Sequence, residues 1–206
     1  MKVELLSITP DAEKTIEKAG RTCYLSSEAE TEKQRQKFIK SLVKNGHHSV
    51  LEHAYATFNI SNVSRALTHQ LVRHRLCSYS QQSQRYVDES NFEYIEPDSI
   101  KGNSIAHTIF TEFIDEAKSV YLRLRKLGIK KEDARFVLPN ATSTTIVVTA
   151  NFREWRHIIE LRGQSSAQWE IRKLVIEILK ILKKYAPSVF YDFEIDKEKS
   201  LIKKKG

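Results

Sequence analysis

The chain has 206 residues, 40% of them apolar and 29% charged, enough for a substantial core and ordinary for a soluble globular protein. Its formal charge of +8 suits anionic partners, although five lysines between Lys197 and Lys205 read as a solvated tail and inflate that figure. Two distant cysteines, Cys23 and Cys77, exclude a disulfide scaffold, and no apolar run approaches a membrane span or a signal peptide, so a cytoplasmic protein without a membrane partner is expected.

In chain order, Lys2 to Ile8 reads as a strand, and Asp11 to Ala19 as a short helix stopped by Gly20. Thr31-Glu-Lys-Gln34 has capping-box spacing and opens a helix through Phe38, Leu42 and Val43 to Asn45-Gly46. Ala54 to Ile60 is a strand. Asn62 then caps a helix that buries Val63, Ala66, Leu67 and Leu71, with Arg65, His69 and Arg73 every four residues on its other side. A loop poor in apolar residues follows, and Pro97 and Gly102-Asn103 mark a linker-like segment. Ser104 to Leu127 predicts a long helix with Ile105, Ile109, Phe113, Ala117, Tyr121 and Leu124 as its stripe. Lys131 to Arg135 starts a shorter one, ended by Leu138-Pro139. Thr142 to Asn151 is the strongest strand, Phe152 to Leu161 a helix stopping at Gly163, and Ser165-Ser-Ala-Gln168 caps a last helix closed by Pro187. Strands and helices do not alternate strictly, which favours one α+β domain over 1–206: a mixed, mainly antiparallel sheet with long helices and a basic tail from about 196.

Three polar groups carry candidate chemistry. Arg73, His74 and Arg75, then Ser83 and Arg85, supply guanidinium forks and a hydroxyl in one segment, the donor set for an anionic ligand. A helix C-terminus would account for Arg73 alone, though not for the density of donors. Neither GxGxxG nor GxxxxGK[ST] occurs, so side chains must hold any nucleotide. His47, His48, Ser49, Glu52 and His53 match no metal-ligand spacing and read as a turn presenting donors; no metal is expected. Asn151, Arg153, His157 and Arg162 form the third group, and a solvated helix face explains them equally well. Cys77 after Leu76 is a packed residue rather than a nucleophile. A different class of function, a basic nucleic-acid-binding module using Arg65, His69, Arg73 and Arg75, lacks a recognised motif and interleaved aromatics.

The motif RHRxxSxxxxSxR, met by Arg73, His74, Arg75, Ser78, Ser83 and Arg85, resembles the signature of the flavin-dependent thymidylate synthases. Gly46-His47 to Glu52-His53, Ala134-Arg135 to Pro139, and Leu161-Arg162 to Ala167-Gln168-Trp169-Glu170 are also similar to that family, in order over residues 40 to 190. The resemblance implies the family's fold and its reaction: reductive methylation of deoxyuridylate (dUMP) to deoxythymidylate (dTMP). Methylenetetrahydrofolate gives the carbon, and FAD recharged by NADPH gives the hydride. It implies homotetramers with sites shared between subunits and no nucleic-acid partner. It assigns Ser49, Arg73, His74, Arg75, Gln81, Asn151, Arg153 and His157 to FAD. It assigns Gln70, Leu71, Val72, Arg73, Gln81, Gln82, Ser83, Gln84, Arg85, Arg135 and Arg162 to dUMP. Ser83 and Arg85 take the 5′-phosphate, and Arg162 is the catalytic residue, stabilising charge on the pyrimidine. Ser80-Gln81 replaces the family's common Asn-Glu, which removes a carboxylate.

Overall fold

The computed structural model describes residues 1–205. Strand β1 (Lys2–Ile8) leads to α1 (Ala12–Thr22), then α2 (Glu32–Lys44) and a 3-10 turn over His48–His53. Next come β2 (Tyr55–Ser64), α3 (Arg65–Leu71), β3 (Ser78–Gln81), the single turn α4 (Asp98–Lys101) and the long α5 (Ser104–Lys126). The rest is α6 (Lys131–Ala134), a 3-10 turn over Arg135–Val137, β4 (Ser143–Asn151), α7 (Phe152–Arg162), α8 (Trp169–Tyr185), β5 (Phe193–Asp196) and β6 (Leu201–Lys204). An antiparallel sheet has the order β1-β2-β4-β3, and β5 and β6 form a separate antiparallel hairpin, so the chain is α+β as expected.

Several boundaries follow from local chemistry. Thr31 accepts from the Gln34 N–H at 3.3 Å while the Gln34 side chain accepts from Thr31 N–H at 3.1 Å, the reciprocal box that the sequence predicts. Gln168 accepts from Glu170 and Ile171 at the start of α8, and Asn151 from Glu154 at the start of α7.

Backbone contacts divide the chain into two compact units. The first comprises residues 1–60, 71–79 and 147 onward. Its core centres on Trp155, which meets Phe58 edge-on at 5.2 Å and donates its indole N–H to Ala56 O at 3.1 Å. Buried Arg156 forks onto Asp192 at 2.7 and 2.6 Å, and buried Glu17 takes the side chains of Arg35 and Arg21. Burial pushes the Glu17 carboxyl up, but the bonds from Arg35, the Ala29 N–H and Arg21 outweigh it and leave the group below its usual range. The second unit comprises 61–70 and 80–146, where α5 packs Ile114 and Ala117 against Phe92.

The structure corrects five local expectations. Helix α1 runs through Gly20, where a Cβ would lie 2.9 Å from Leu42 Cδ1; the glycine lets α1 and α2 approach rather than ending α1. Asn62 does not cap a helix: β2 continues past it with Asn62 at φ 55°, and Ser64 caps α3 by accepting from Leu67 at 3.0 Å. Because α3 stops at Leu71, Arg73 lies off that helix and the expected row of Arg65, His69 and Arg73 is not one helical face. In the expected α5 stripe Ala117 and Tyr121 are buried, while Ile105, Ile109 and Phe113 are 73%, 63% and 56% exposed. The lysine-rich terminal segment is no free tail: it includes the β5–β6 hairpin, where Lys203 pairs with Asp196, and Lys204 pairs with Glu160 of α7, although its lysines stay exposed as expected.

Candidate active site

The turn after α3 is fixed from behind. The Tyr79 hydroxyl donates to Leu71 O at 2.7 Å and to His74 O at 2.9 Å, holding the Arg73-His74-Arg75 corner. Burial turns His74 inward at 5% exposure while Arg73 and Arg75 stay in solvent. Arg162 Nε donates to His74 Nε2 at 3.0 Å, and Glu154 Oε1 lies 3.5 Å from His74 Nδ1. The His157 ring meets His74 edge-on at 5.6 Å. Burial, then the charges of Arg162 and His157, depress the His74 imidazole to about 4, so it is neutral at physiological pH. Burial and then the neighbouring Arg73 lower Arg162.

Around this knot two cavities of about 590 and 510 Å³ share Leu76, Glu154 and His157, in the size range of small-molecule sites. Arg73 and Arg75 line one, and Asn151, Arg153 and Glu52 the other. Arg153 pairs with Glu52 at 2.5 Å in solvent, and Ser49 is exposed on the turn that carries Glu52. Three guanidinium groups beside exposed Leu76 provide charge for a pyrophosphate and an apolar surface for a ring, so these residues fit a flavin nucleotide. Ser49, Arg73, His74, Arg75, Asn151, Arg153 and His157 all belong to this first unit, with Arg162.

The remaining expected residues, Gln70, Gln81 to Arg85 and Arg135, belong to the second unit. Gln81 Nε2 donates to the Thr68 hydroxyl at 2.9 Å and to Thr144 at 3.4 Å. Gln82 O accepts from Arg65 at 2.8 Å, and the Gln82 amide donates to buried Glu89 at 3.3 Å. Gln84 is buried, and Ser83 Oγ accepts from the Arg85 N–H at 3.3 Å inside a tight turn. Arg85 and Arg135 come to one residue: Arg85 Nε donates to the Glu132 carboxylate at 3.2 Å, and Arg135 Nε to Glu132 O at 3.1 Å. Leu71 is fully buried, whereas Val72 is exposed.

Three contributors escape the sequence reading, Glu154, Tyr79 and Glu132, and a fourth, Arg65, takes a different part from the one read. Glu154 stands third after the cap Asn151, a spacing that predicts a capping box; its carboxylate instead faces His74. Arg65 turns inward to Gln82, so it does not offer a phosphate-tracking face. Burial pushes the Cys77 thiol up to about 11, which leaves little thiolate and agrees with a packed residue.

Fold and site together describe an α+β protein with adjoining polar cavities lined by arginine, histidine and glutamate side chains. Residues 4–188 match the family described as thymidylate synthase complementing protein. The chain is 43% identical over 200 residues to a flavin-dependent thymidylate synthase of Geobacter sulfurreducens, covering 93% of this chain and 86% of that one. It is equally similar, at 43% over 209 residues, to the Nitratidesulfovibrio vulgaris protein of the same name (92% and 85% covered), and at 43% over 197 residues to that of Mycobacterium tuberculosis (87% and 79%). The chain belongs to the flavin-dependent thymidylate synthase family.

Proposed function

We propose that the chain makes dTMP from dUMP by reductive methylation, with methylenetetrahydrofolate as carbon donor and FAD, recharged by NADPH, as the source of hydride. The observation that carries this reading is the complete Arg73-His74-Arg75, Ser78, Ser83, Arg85 signature with Arg162 delivered to its central histidine at 3.0 Å. Arg73, Arg75 and Arg153 neutralise the flavin pyrophosphate, while Asn151, His157 and Ser49 orient it. Arg85 and Arg135 take the dUMP phosphate with the Ser83 hydroxyl, in a segment that Gln81 and Gln82 hold in shape. Gln70, Leu71, Val72 and Gln84 complete the nucleotide contacts through backbone and amide groups. Arg162 stabilises the negative charge that develops on the pyrimidine as N3 ionises. Bound FAD supplies the hydride chemistry, and the chain supplies position and charge.

The exposed row Ile105, Ile109 and Phe113 on α5 supports assembly into a homotetramer with shared sites, since a row of large apolar side chains at helical spacing favours cover by another subunit. Among the described residues no helix is long and apolar enough to cross a membrane, and the reading places the enzyme in the cytoplasm without a nucleic-acid partner.

Tritium release from 5-tritiated dUMP, dependent on FAD, NADPH and methylenetetrahydrofolate, tests the reaction. A purified protein that is colourless and releases no tritium after flavin addition rules it out. Arg162→Ala is expected to keep its flavin and lose turnover. Loss of flavin in that variant would contradict its role.

A further inference from the structure

His74 is the buried member of its arginine pair, and both ring nitrogens face partners in the chain. Arg162 Nε donates to Nε2. A guanidinium carries donors and no acceptor, so Nε2 must offer its lone pair and the ring proton must sit on Nδ1. That proton faces Glu154 Oε1, with both side chains buried. At 3.5 Å the attraction is electrostatic rather than a well-formed hydrogen bond, and burial strengthens it relative to water. The opposite tautomer would set Nε2–H against Arg162 Nε–H and a lone pair against the Glu154 carboxylate, repulsive at both ends.

The arrangement also decides between two uses of the cluster. His74, Glu154 and His157 present ligand atoms within 4.8 Å of one another, a spacing that invites a cation. With Nδ1 protonated and Nε2 bound to Arg162, His74 has no lone pair left for one, and Arg162 adds positive charge beside it. The cluster is an orienting chain. Side chains from the first and last turns of α7, Glu154 and Arg162, meet on one imidazole.

Resting on the reaction proposed above, we infer that Glu154 is a positioning residue: it holds the proton on His74 Nδ1 so that Nε2 anchors the Arg162 guanidinium in its working orientation. Glu154 is itself placed by Asn151, whose side chain accepts from its N–H at 2.8 Å. His74, with both ring nitrogens engaged inside the chain, has no ring nitrogen left to hydrogen-bond a ligand.

Nitrogen shifts of labelled histidine test the tautomer without any assay of turnover: the unliganded protein should show neutral His74 protonated on Nδ1. Protonation on Nε2 overturns the proposal. A double-mutant cycle tests the consequence. Glu154→Ala should lower tritium release at saturating dUMP on the order of 10²-fold, the loss expected from a misaimed catalytic group, with flavin content retained and kcat falling more than KM changes. In a His74→Asn background the carboxamide oxygen accepts from Arg162 without a choice of tautomer, and Glu154→Ala should then cost under about threefold. Equal losses in both backgrounds overturn the proposal. Should Glu154→Ala fail to accumulate, Glu154→Gln carries the test: the carboxamide lacks the charge that holds the Nδ1 proton, so turnover should fall with flavin content retained, and turnover equal to wild type overturns the inference. A wild-type protein that releases no tritium defeats the reaction assignment, while the histidine spectrum still decides the tautomer.

Discussion

The surroundings of His74 and the turn over residues 81–85 are built in opposite ways. Around His74 the imidazole and Glu154 are buried and half-buried Arg162 closes on them, so the three face one another. In the second region Arg85 keeps half its side chain in water and pairs with Glu132 in the open, at 53% and 39% exposure. A solvent-exposed ion pair contributes ~0–1 kcal/mol, so an arriving phosphate can displace Glu132 at small cost. A buried cluster cannot rearrange without leaving a polar group unpaired, which costs about 1–3 kcal/mol per group. On the proposed reading, a preformed first region would suit a cofactor that stays bound, and an exposed, replaceable pair in the second a substrate that turns over.

The largest effect should come from breaking the scaffold of the first region. Arg156 lines the same cavity as Glu154 and forks onto buried Asp192. Asp192→Ala leaves that guanidinium buried and unpaired and should cost about 3–5 kcal/mol in denaturant unfolding, with loss of flavin retention. The matching deletion in the second region, Glu132→Ala, should cost less than about 1 kcal/mol. Equal costs would remove the contrast.

Next in size is the substrate side. Arg85→Ala should weaken dUMP binding by about 1.5–3 kcal/mol, the worth of a charge-assisted hydrogen bond, and leave flavin content unchanged. Calorimetry of dUMP titration into the flavin-loaded protein reads this directly. Flavin loss with intact dUMP affinity would exchange the roles of the two regions.

Acid should act on the first region through His74. Its imidazole sits at about 4 in the fold against an ordinary 6.5, so the unfolded chain binds a proton that the folded chain refuses. The stability present above pH 6.5 is therefore lost as pH falls toward 4, with a total of order 1–3 kcal/mol. Glu17 acts in the same direction at lower pH, because its folded carboxyl lies below its usual range. His74→Asn should flatten the slope of stability between pH 6.5 and 4, and an unchanged slope would mean that His74 is not the group titrating.

What the sequence makes legible here is what is local. Caps depend on three or four consecutive residues: the Thr31 box forms as read, and within the Ser165-to-Gln168 segment it is Gln168 that caps. β3 escapes because Ser78–Gln81 has little strand propensity of its own; pairing with β4 makes it a strand. Ile105, Ile109 and Phe113 keep the same spacing as buried Ala117 and Tyr121, since periodicity marks a face and not what covers it. The signature residues are readable as a motif, yet their partners are not. Glu154 lies 80 positions from His74, and its own neighbours predict a cap.

The smallest effect bears most finely on the contrast. Glu132→Gln removes the charge that competes for Arg85 while keeping a side chain of the same shape. If Glu132 only occupies Arg85 until phosphate arrives, dUMP should bind up to about fivefold more tightly, the return of an exposed pair worth under about 1 kcal/mol. Stability should barely move, because Arg135 bonds the Glu132 backbone carbonyl and keeps that bond in the variant. Weaker dUMP binding in Glu132→Gln would mean that the carboxylate itself accepts a hydrogen bond from the nucleotide. The second region would then be as preformed as the first.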